Sequence, residues 1–364
     1  MTPFAQLSLL VRCALGNEPD PVAAIAAAGI DGKAVLRLAL QHRIAPYLAG
    51  LAADPAIGPV LPRDLRGLLA TVRDANAERN ARLLRQVEEA LALLNRAGIE
   101  PVLLKGAARL ADGVHDDIAA RFMQDLDFLI PRQRLEDAAR ILRAAGYRPV
   151  EPADPNGREH HHLPGLWHEQ VEASIELHRE VAGSRWRHLL PTDDFIIRST
   201  AIPIGGCVAR LPAPSDSLVH LAVHGLLAHA RLLKGSLLLS EVVECVLLVR
   251  RAGNAALTEA SARASEAGGG LAFAAFLHTS ELITHEPLRV AGQVAGAQGV
   301  AGRLLGLRAV WQQDSRMLRI AGYVAWAATT LRHNPDVRQH FPGRLAQAAF
   351  YGKRWQEIRS LLRH

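Results

Sequence analysis

Two aspartates, Asp125 and Asp127, stand one residue apart in the otherwise largely apolar stretch "MQDLDFLIP", residues 123–131. Alternate residues of a β-strand point to the same face, so this spacing predicts two carboxylates side by side. Like charges so close raise the pKa of one carboxyl group unless a cation lies between them. Mg²⁺ suits such ligands, because it binds carboxylates, water and substrate phosphates. The pair therefore indicates a divalent-cation site, and chance spacing on an exposed strand is the alternative.

Upstream, the sequence "VLLKGAA" is typical of a strand that stops at Gly106 and enters a helix. This arrangement directs backbone N–H groups at an anion and lets a phosphate approach the glycine closely. Lys105 adds a cationic donor, and it is one of four lysines among 42 basic residues. The pattern predicts a phosphate site, and an ordinary strand–turn–helix is the alternative.

Downstream, the sequence "IELH", residues 175–178, alternates apolar and polar residues as a half-buried strand does. Glu176 and His178 would then share one face, whereas Ile175 and Leu177 would share the other. Glu176 could complete the metal site or act as a general base on an acceptor hydroxyl. A solvated strand carboxylate is the alternative for Glu176.

A histidine-rich segment, residues 160–162 with His168, raises the question of a zinc site. Neither CxxC nor HExxH spacing supports zinc, so we expect this loop at the mouth of the active site, where His161 or His162 could contact acceptor or phosphate. His220 and His224 are four residues apart on one helical face. They are expected to pack or cap a helix or, with Arg231, to face the nucleotide.

The order of elements divides the chain into three regions. Residues 1–97 show helical periodicity, residues 98–210 alternate strands with helices, and residues 211–364 return to helical periodicity. The middle region is therefore predicted to be an α/β or α+β core between two helical regions.

Composition narrows the function classes. Hydrophobic residues make up 49% of the chain and charged residues 21%, which is typical of a folded protein. The net charge of +6 is scattered and aromatic residues are 5%, so neither a basic groove nor a stacking platform for nucleic acid is indicated. Nucleic acid is therefore not the expected partner.

Several features favour a cytoplasmic protein without membrane contact. Cys13, Cys207 and Cys245 are far apart and contain no CxxC motif, which is typical of free thiols in a reducing compartment. The N-terminus lacks the positive segment of a signal peptide. The longest apolar runs are interrupted by charged residues such as Glu241 and Glu244, so no membrane span is predicted.

Taken in order, Lys105-Gly106, the acid pair Asp125 and Asp127, and Glu176 resemble the DNA polymerase β-type nucleotidyltransferase superfamily. The motifs "LLKGAA", "RxxxDLDFLI", "LxxAGY" and "IELH" are more specifically similar to the bacterial uncharacterised nucleotidyltransferase family, across residues 95–250. The resemblance implies an α+β fold in which a small mixed sheet with helices forms a nucleotidyltransferase core, flanked by helical regions.

The resemblance to this family also implies transfer of a nucleoside monophosphate from an NTP, expected to be ATP, to an acceptor with release of pyrophosphate. The acceptor would be a hydroxyl or other nucleophile of a small molecule, peptide or protein. Asp125, Asp127 and Glu176 would bind two Mg²⁺ ions, or Mn²⁺ in their place, and carry the catalysis.

The nucleotide-binding positions follow from the same resemblance. They are Lys105, Gly106, Ala107, Arg121 and His178. Ala107 departs from the superfamily pattern, because many members have a serine there whose hydroxyl contacts phosphate.

Two other functions remain as alternatives. One is a catalytically weak nucleotide-binding or scaffold protein on the same fold, and the other is a zinc-dependent hydrolase that uses the histidine-rich segment.

Overall fold

The structure of the protein, a computed structural model, describes residues 1–150, 160–228, 231–234, 237–288, 297–315 and 317–322. The predicted helical region 211–364 therefore lies partly outside the described residues. The same is true of part of the polar loop that follows residue 150.

Five helices precede the sheet. The first three each follow a residue whose side chain accepts a hydrogen bond from the first helical turn, namely Thr2, Asp20 and Asp31. Such caps satisfy backbone N–H groups that lack a partner within the helix. The helices are α1 (Pro3–Leu15), α2 (Pro21–Ala28), α3 (Gly32–Gln41), α4 (Ala45–Ala53) and α5 (Arg63–Arg96).

The middle of the chain forms a mixed sheet. Its strands are β1 (Val102–Leu104), β2 (Asp125–Leu129), β3 (Arg148–Pro149), β4 (Leu166–Trp167), β5 (Ser174–His178), β6 (Thr200–Ile204) and β7 (Cys207–Leu211). The order across the sheet is β3-β4-β5-β2-β1-β7-β6. The pairs β2–β5 and β1–β7 are parallel, and the other neighbours are antiparallel. Helices α6 (Lys105–Arg109), α7 (Leu135–Ala144) and α8 (Thr192–Arg198) connect them. The α+β prediction is confirmed.

The two faces of β2 and β5 differ because side chains alternate along a strand. Leu126 and Phe128 of β2, with Ile175 and Leu177 of β5, are buried in one apolar cluster with α5 and α7. The opposite face of the same two strands carries the acids and His178. One face thus anchors the sheet and leaves the other available for chemistry.

The rest of the described chain is helical. The elements are α9 (Pro214–Ala222), a π-helical turn (Val223–Leu227), α10 (Arg231–Lys234), α11 (Leu239–Ala252), α12 (Asn254–Glu266), α13 (Gly270–Thr284) and α14 (Ala297–Asp314). The buried apolar side chains of α9, the π-helical turn, α11, α12 and α13 belong to the same cluster as those of α1–α4. The three-region division stays a prediction, and this shared cluster joins its first and third regions. Among the described helices, none is long and apolar enough to cross a membrane.

Helix α5 holds the segments around the sheet through side-chain amides. The buried Asn80 donates from Nδ2 to the carbonyls of Ile118 at 2.6 Å and Arg121 at 2.8 Å. Gln86 donates to the carbonyl of Ala173 at 2.7 Å and accepts from its N–H at 3.3 Å. These bonds fix the chain just before β2 and just before β5, so α5 helps to position the acids.

We expect Asn80→Ala to lower the free energy of unfolding by about 2 kcal/mol, because it removes both hydrogen bonds that a fully buried amide donates and leaves the carbonyl of Ile118 without this donor. Urea unfolding followed by circular dichroism measures the change. Arg85→Ala, at an exposed position of α5, is the control and should stay within about 0.5 kcal/mol of the parent. Equal stability of the Asn80 variant and the control would contradict this role of α5.

Candidate functional site

The acids meet because β2 and β5 are adjacent and parallel. In their register Asp127 lies opposite Glu176, and Leu129 lies opposite His178. One ligand atom each of Asp127, Glu176 and His178 can be chosen so that all three lie within 4.8 Å of one another. The predicted strand faces thus bring two of the three expected acids, with a histidine, to one point.

Asp127 is the buried centre of this group. It is fully buried, and its Oδ1 accepts from Nζ of Lys105 at 2.7 Å and contacts Nε2 of His178 at 2.7 Å. Burial acts to raise the pKa of Asp127, but the Lys105 charge and the His178 hydrogen bond outweigh it and lower that pKa. Asp127 is therefore ionised at neutral pH.

Lys105 immediately follows β1, whose last residue, Leu104, pairs with Asp127 across the antiparallel register. Its φ of 47° lies in the left-handed region, which is unusual for a residue with a side chain. Burial acts to lower the pKa of Lys105, but the charge of Asp127 outweighs it and raises that pKa. The ammonium group is therefore charged and held by the carboxylate.

Gly106 has a packing reason to be glycine. A Cβ at this position would lie 2.3 Å from Cγ of Met123, so any side chain there would force the buried Met123 to shift. Gly106 also lines the cavity described below, whereas Ala107 is buried among apolar residues. The structure therefore does not place Ala107 with the other predicted nucleotide-binding residues.

Asp125 lies at the start of β2, half-buried, and lines the same cavity. Burial, and then the nearby charge of Asp127, raises the pKa of Asp125. This is the conflict between neighbouring carboxylates that the sequence spacing predicts. Lys105 relieves it for Asp127 and only partly for Asp125.

The histidines surround Glu176. Nε2 of His178 lies 3.6 Å from Oε2 of Glu176, and Nε2 of His162 lies 3.8 Å from the same oxygen. Burial acts to raise the pKa of Glu176, but these histidines outweigh it and lower that pKa. Burial and the charges of His178 and His162 lower the pKa of His161 to about 3. Within the described residues, the metal-ligand group takes its histidine from β5 and none from the histidine-rich segment.

These residues face a cavity of about 460 Å³. The predicted Lys105, Gly106, Arg121, Asp125 and Glu176 line it, with His161, His162, His220, His224 and Arg231. Asp127 and His178 are buried next to its wall, through their contacts with Lys105 and Glu176. All predicted site residues except Ala107 are therefore gathered in one place.

The helical regions complete the cavity with residues that the sequence analysis missed as site residues. Arg43 comes from the turn between α3 and α4, and Glu241 and Glu244 come from α11. Glu244 accepts from Arg121, while Glu241 accepts from Arg231 at 2.9 Å and contacts Nδ1 of His224 at 2.5 Å. The sequence signal for Glu241 and Glu244 is that two acids, three residues apart, lie inside an apolar run that forms α11.

The site suits a divalent cation. Oδ2 of Asp127 is buried and has no hydrogen-bond partner among the described residues. Such an oxygen is costly to bury unless an ion or another partner satisfies it. Carboxylate oxygens suit Mg²⁺ and Mn²⁺, whereas an imidazole suits ions such as Zn²⁺ and Fe²⁺. Glu176, with Asp127 and His178, supplies such a donor set.

The mixed sheet and its flanking helices are consistent with a nucleotidyltransferase-type α+β fold. The chain belongs to the uncharacterised nucleotidyltransferase family, whose sequence model matches residues 28–284. No curated protein matches the chain. The match includes the sheet, Arg43 and α11, so the family extends beyond the predicted core.

We expect Lys105→Met to lower the free energy of unfolding by about 3 kcal/mol, because it leaves the buried Asp127 without its counter-charge. Lys105→Met with Asp127→Asn should recover most of this loss, since neither charge then remains unpaired. Urea unfolding of both single variants and the double variant measures the coupling. Additive losses would show that the ion pair does not stabilise the fold.

Proposed function

We propose that this protein transfers a nucleoside monophosphate from an NTP, with ATP as the expected donor, to a nucleophile on an acceptor, with release of pyrophosphate. The observation that carries the proposal is the pairing of Asp127 with Glu176 on adjacent parallel strands beside a cavity that Asp125 and several cations line. Membership of the family supports the class of reaction.

Asp125, Asp127 and Glu176, with His178 beside them, would hold Mg²⁺, or Mn²⁺ in its place, and two ions are expected. When bound, the metal would supply positive charge to the phosphate chain and to the attacking and leaving oxygens. The rest of the chemistry is assigned to side chains of this chain.

Lys105 is suited to contact the phosphate chain while it stays paired with Asp127. An ammonium group has three donors, and Asp127 takes one of them. The side chain of Lys105 is 23% exposed and lines the cavity, so the other donors can reach an anion there. Arg121 lies on the same wall but is held by Glu244 and by the carbonyl of Phe122. Its expected role is to balance charge around the nucleotide.

Glu176 can accept a proton from the acceptor. Its lowered pKa keeps it ionised at neutral pH, and it lines the cavity. A carboxylate within reach of a hydroxyl can take its proton as the new bond to phosphorus forms. Glu176 is thus proposed to serve both as a metal ligand and as the proton acceptor, roles that the sequence offers as alternatives.

The acceptor is proposed to be a small molecule, peptide or protein. A cavity of about 460 Å³ is of the size that encloses a small ligand, which supports a nucleotide rather than a nucleic-acid duplex as the occupant. The free cysteines Cys13, Cys207 and Cys245 support a reducing cytoplasm as its compartment.

One observation favours the second candidate, a nucleotide-binding protein with weak catalysis. Lys105 and His178 already satisfy Oδ1 of Asp127, so this carboxylate is neutralised within the chain. In that case Mg²⁺-dependent NTP binding would persist without pyrophosphate release across a broad set of acceptors.

We expect Asp125→Asn to lower pyrophosphate release by at least about a hundredfold, the scale for losing one group that stabilises transition-state charge. This variant keeps the Lys105–Asp127 pair and relieves repulsion, so its stability should equal or exceed that of the parent. Pyrophosphate release is measured with each NTP, Mg²⁺ and cell lysate as the acceptor source. Asp193→Asn, at an exposed position of α8, is the control. Full activity of the Asp125 variant would exclude this site as the catalytic centre.

A further inference from the structure

Arg43 lies in the turn between α3 and α4, outside the predicted core. Its φ of 56° is in the left-handed region, which costs a residue with a Cβ and favours glycine. Neighbouring backbone bonds hold the turn. The N–H of Ile44 donates to Ala39 at 2.8 Å, and the N–H of Ser240 on α11 donates to His42 at 3.2 Å. The chain therefore keeps an arginine in a strained position that two helical regions fix.

Residues with such a strained backbone conformation line the cavity. Among the described residues, the non-glycine positions with positive φ are Arg43, Lys105 and His285. Two of the three, Arg43 and Lys105, are cations that line the cavity. Unfavourable backbone conformations persist where the surroundings impose them, and they concentrate at functional sites.

The charge of Arg43 is compensated less well than that of its neighbours. Arg121 is paired with Glu244, and Arg231 is paired with Glu241. Arg43 instead donates from Nη2 to the amide oxygen of Gln124 at 2.5 Å and, among the described residues, forms no ion pair with a carboxylate.

The electrostatic surroundings of Arg43 add to this imbalance. Burial, and then repulsion from Arg121 and Arg231, lowers the pKa of Arg43, against weaker opposing effects of Asp125 and Glu241. Three guanidinium groups thus converge, and the charge of one is not matched. An anion placed at Arg43 would remove this cost.

We propose that Arg43 binds the phosphate chain of the NTP, so that the N-terminal helical region supplies part of the nucleotide site. This inference rests on the proposed function. The guanidinium group holds Gln124, which directly precedes Asp125, and Arg43 and Asp125 interact electrostatically. An anion bound there lies beside the acids. Phosphate oxygens fit the planar donor fork of arginine.

Binding, rather than turnover, tests the assignment. Inorganic tripolyphosphate, ATP, AMP and adenosine are titrated with Mg²⁺ into the full chain by calorimetry. Arg43→Gln should weaken tripolyphosphate and ATP binding by about tenfold or more, the equivalent of losing one charge-assisted bidentate contact. Adenosine binding should not change, and AMP should lose less affinity than ATP.

Arg37→Gln is the matched control, because Arg37 is exposed on α3 and its substitution removes the same charge. Arg43→Gly guards against loss of folding, since glycine relieves the positive φ. It should raise or preserve the midpoint of thermal unfolding while it weakens tripolyphosphate binding as Arg43→Gln does.

Tripolyphosphate binding by the Arg43 variants that equals that of the Arg37 control would overturn the proposal. An equal loss for adenosine would do the same, because it would indicate general disruption or a contact with the nucleoside. An Arg43 variant that binds tripolyphosphate normally but loses transfer would assign Arg43 to the acceptor instead. If the parent binds tripolyphosphate through Arg43 but releases no pyrophosphate, the proposed function fails and this inference stands.

Discussion

The buried charge of Asp127 is the constraint on which the site depends. A carboxylate at the centre of a sheet, without exposure to water, is unfavourable unless opposite charge and hydrogen bonds surround it. The two neighbouring strands supply both: Lys105 follows β1, and His178 ends β5. The registers of both strand pairs are therefore tied to one carboxylate. A shift of either strand by one residue would leave the charge unpaired.

The surrounding helices cover the two faces of the sheet in different ways. The sheet has its apolar face covered by α5 and α7, and its polar face needs walls that exclude water while leaving room for a ligand. The N-terminal and C-terminal helices pack against each other in one cluster and provide those walls. Ion pairs such as Arg121–Glu244 and Arg231–Glu241 allow charged side chains to be buried there.

Local pattern predicted the parts of the site that lie within single elements. Alternation along a strand placed Asp125 with Asp127 and Glu176 with His178, and the order of the motifs indicated the family. Partners distant in sequence could not be predicted in this way. Nothing near Lys105 shows that its ammonium binds Asp127, and nothing near Arg43 shows that it reaches Gln124. In the sequence Glu241 and Glu244 only interrupt an apolar run, because Arg121, the partner of Glu244, is 123 residues away and no local pattern pairs Glu241 with Arg231.

The hairpin at the edge of the sheet has a signal in the sequence. The strands β6 and β7 are joined by Gly205 and Gly206, both with positive φ, and a glycine pair between two strand-like runs is typical of a tight hairpin. The pattern around Gly106 predicts close approach of a phosphate, whereas only the tertiary structure shows that Met123 packs where a Cβ of residue 106 would lie.

The proposed reaction transfers the α-phosphorus of an NTP and not the γ-phosphorus. The direct measurement compares ATP labelled at the α-phosphate with ATP labelled at the γ-phosphate, each incubated with the protein, Mg²⁺ and lysate. Nucleotidyl transfer should place the α-label in a modified acceptor and the γ-label in pyrophosphate. Transfer of the γ-label to an acceptor, or an α-label that stays in the free nucleotide with every acceptor fraction, would contradict it.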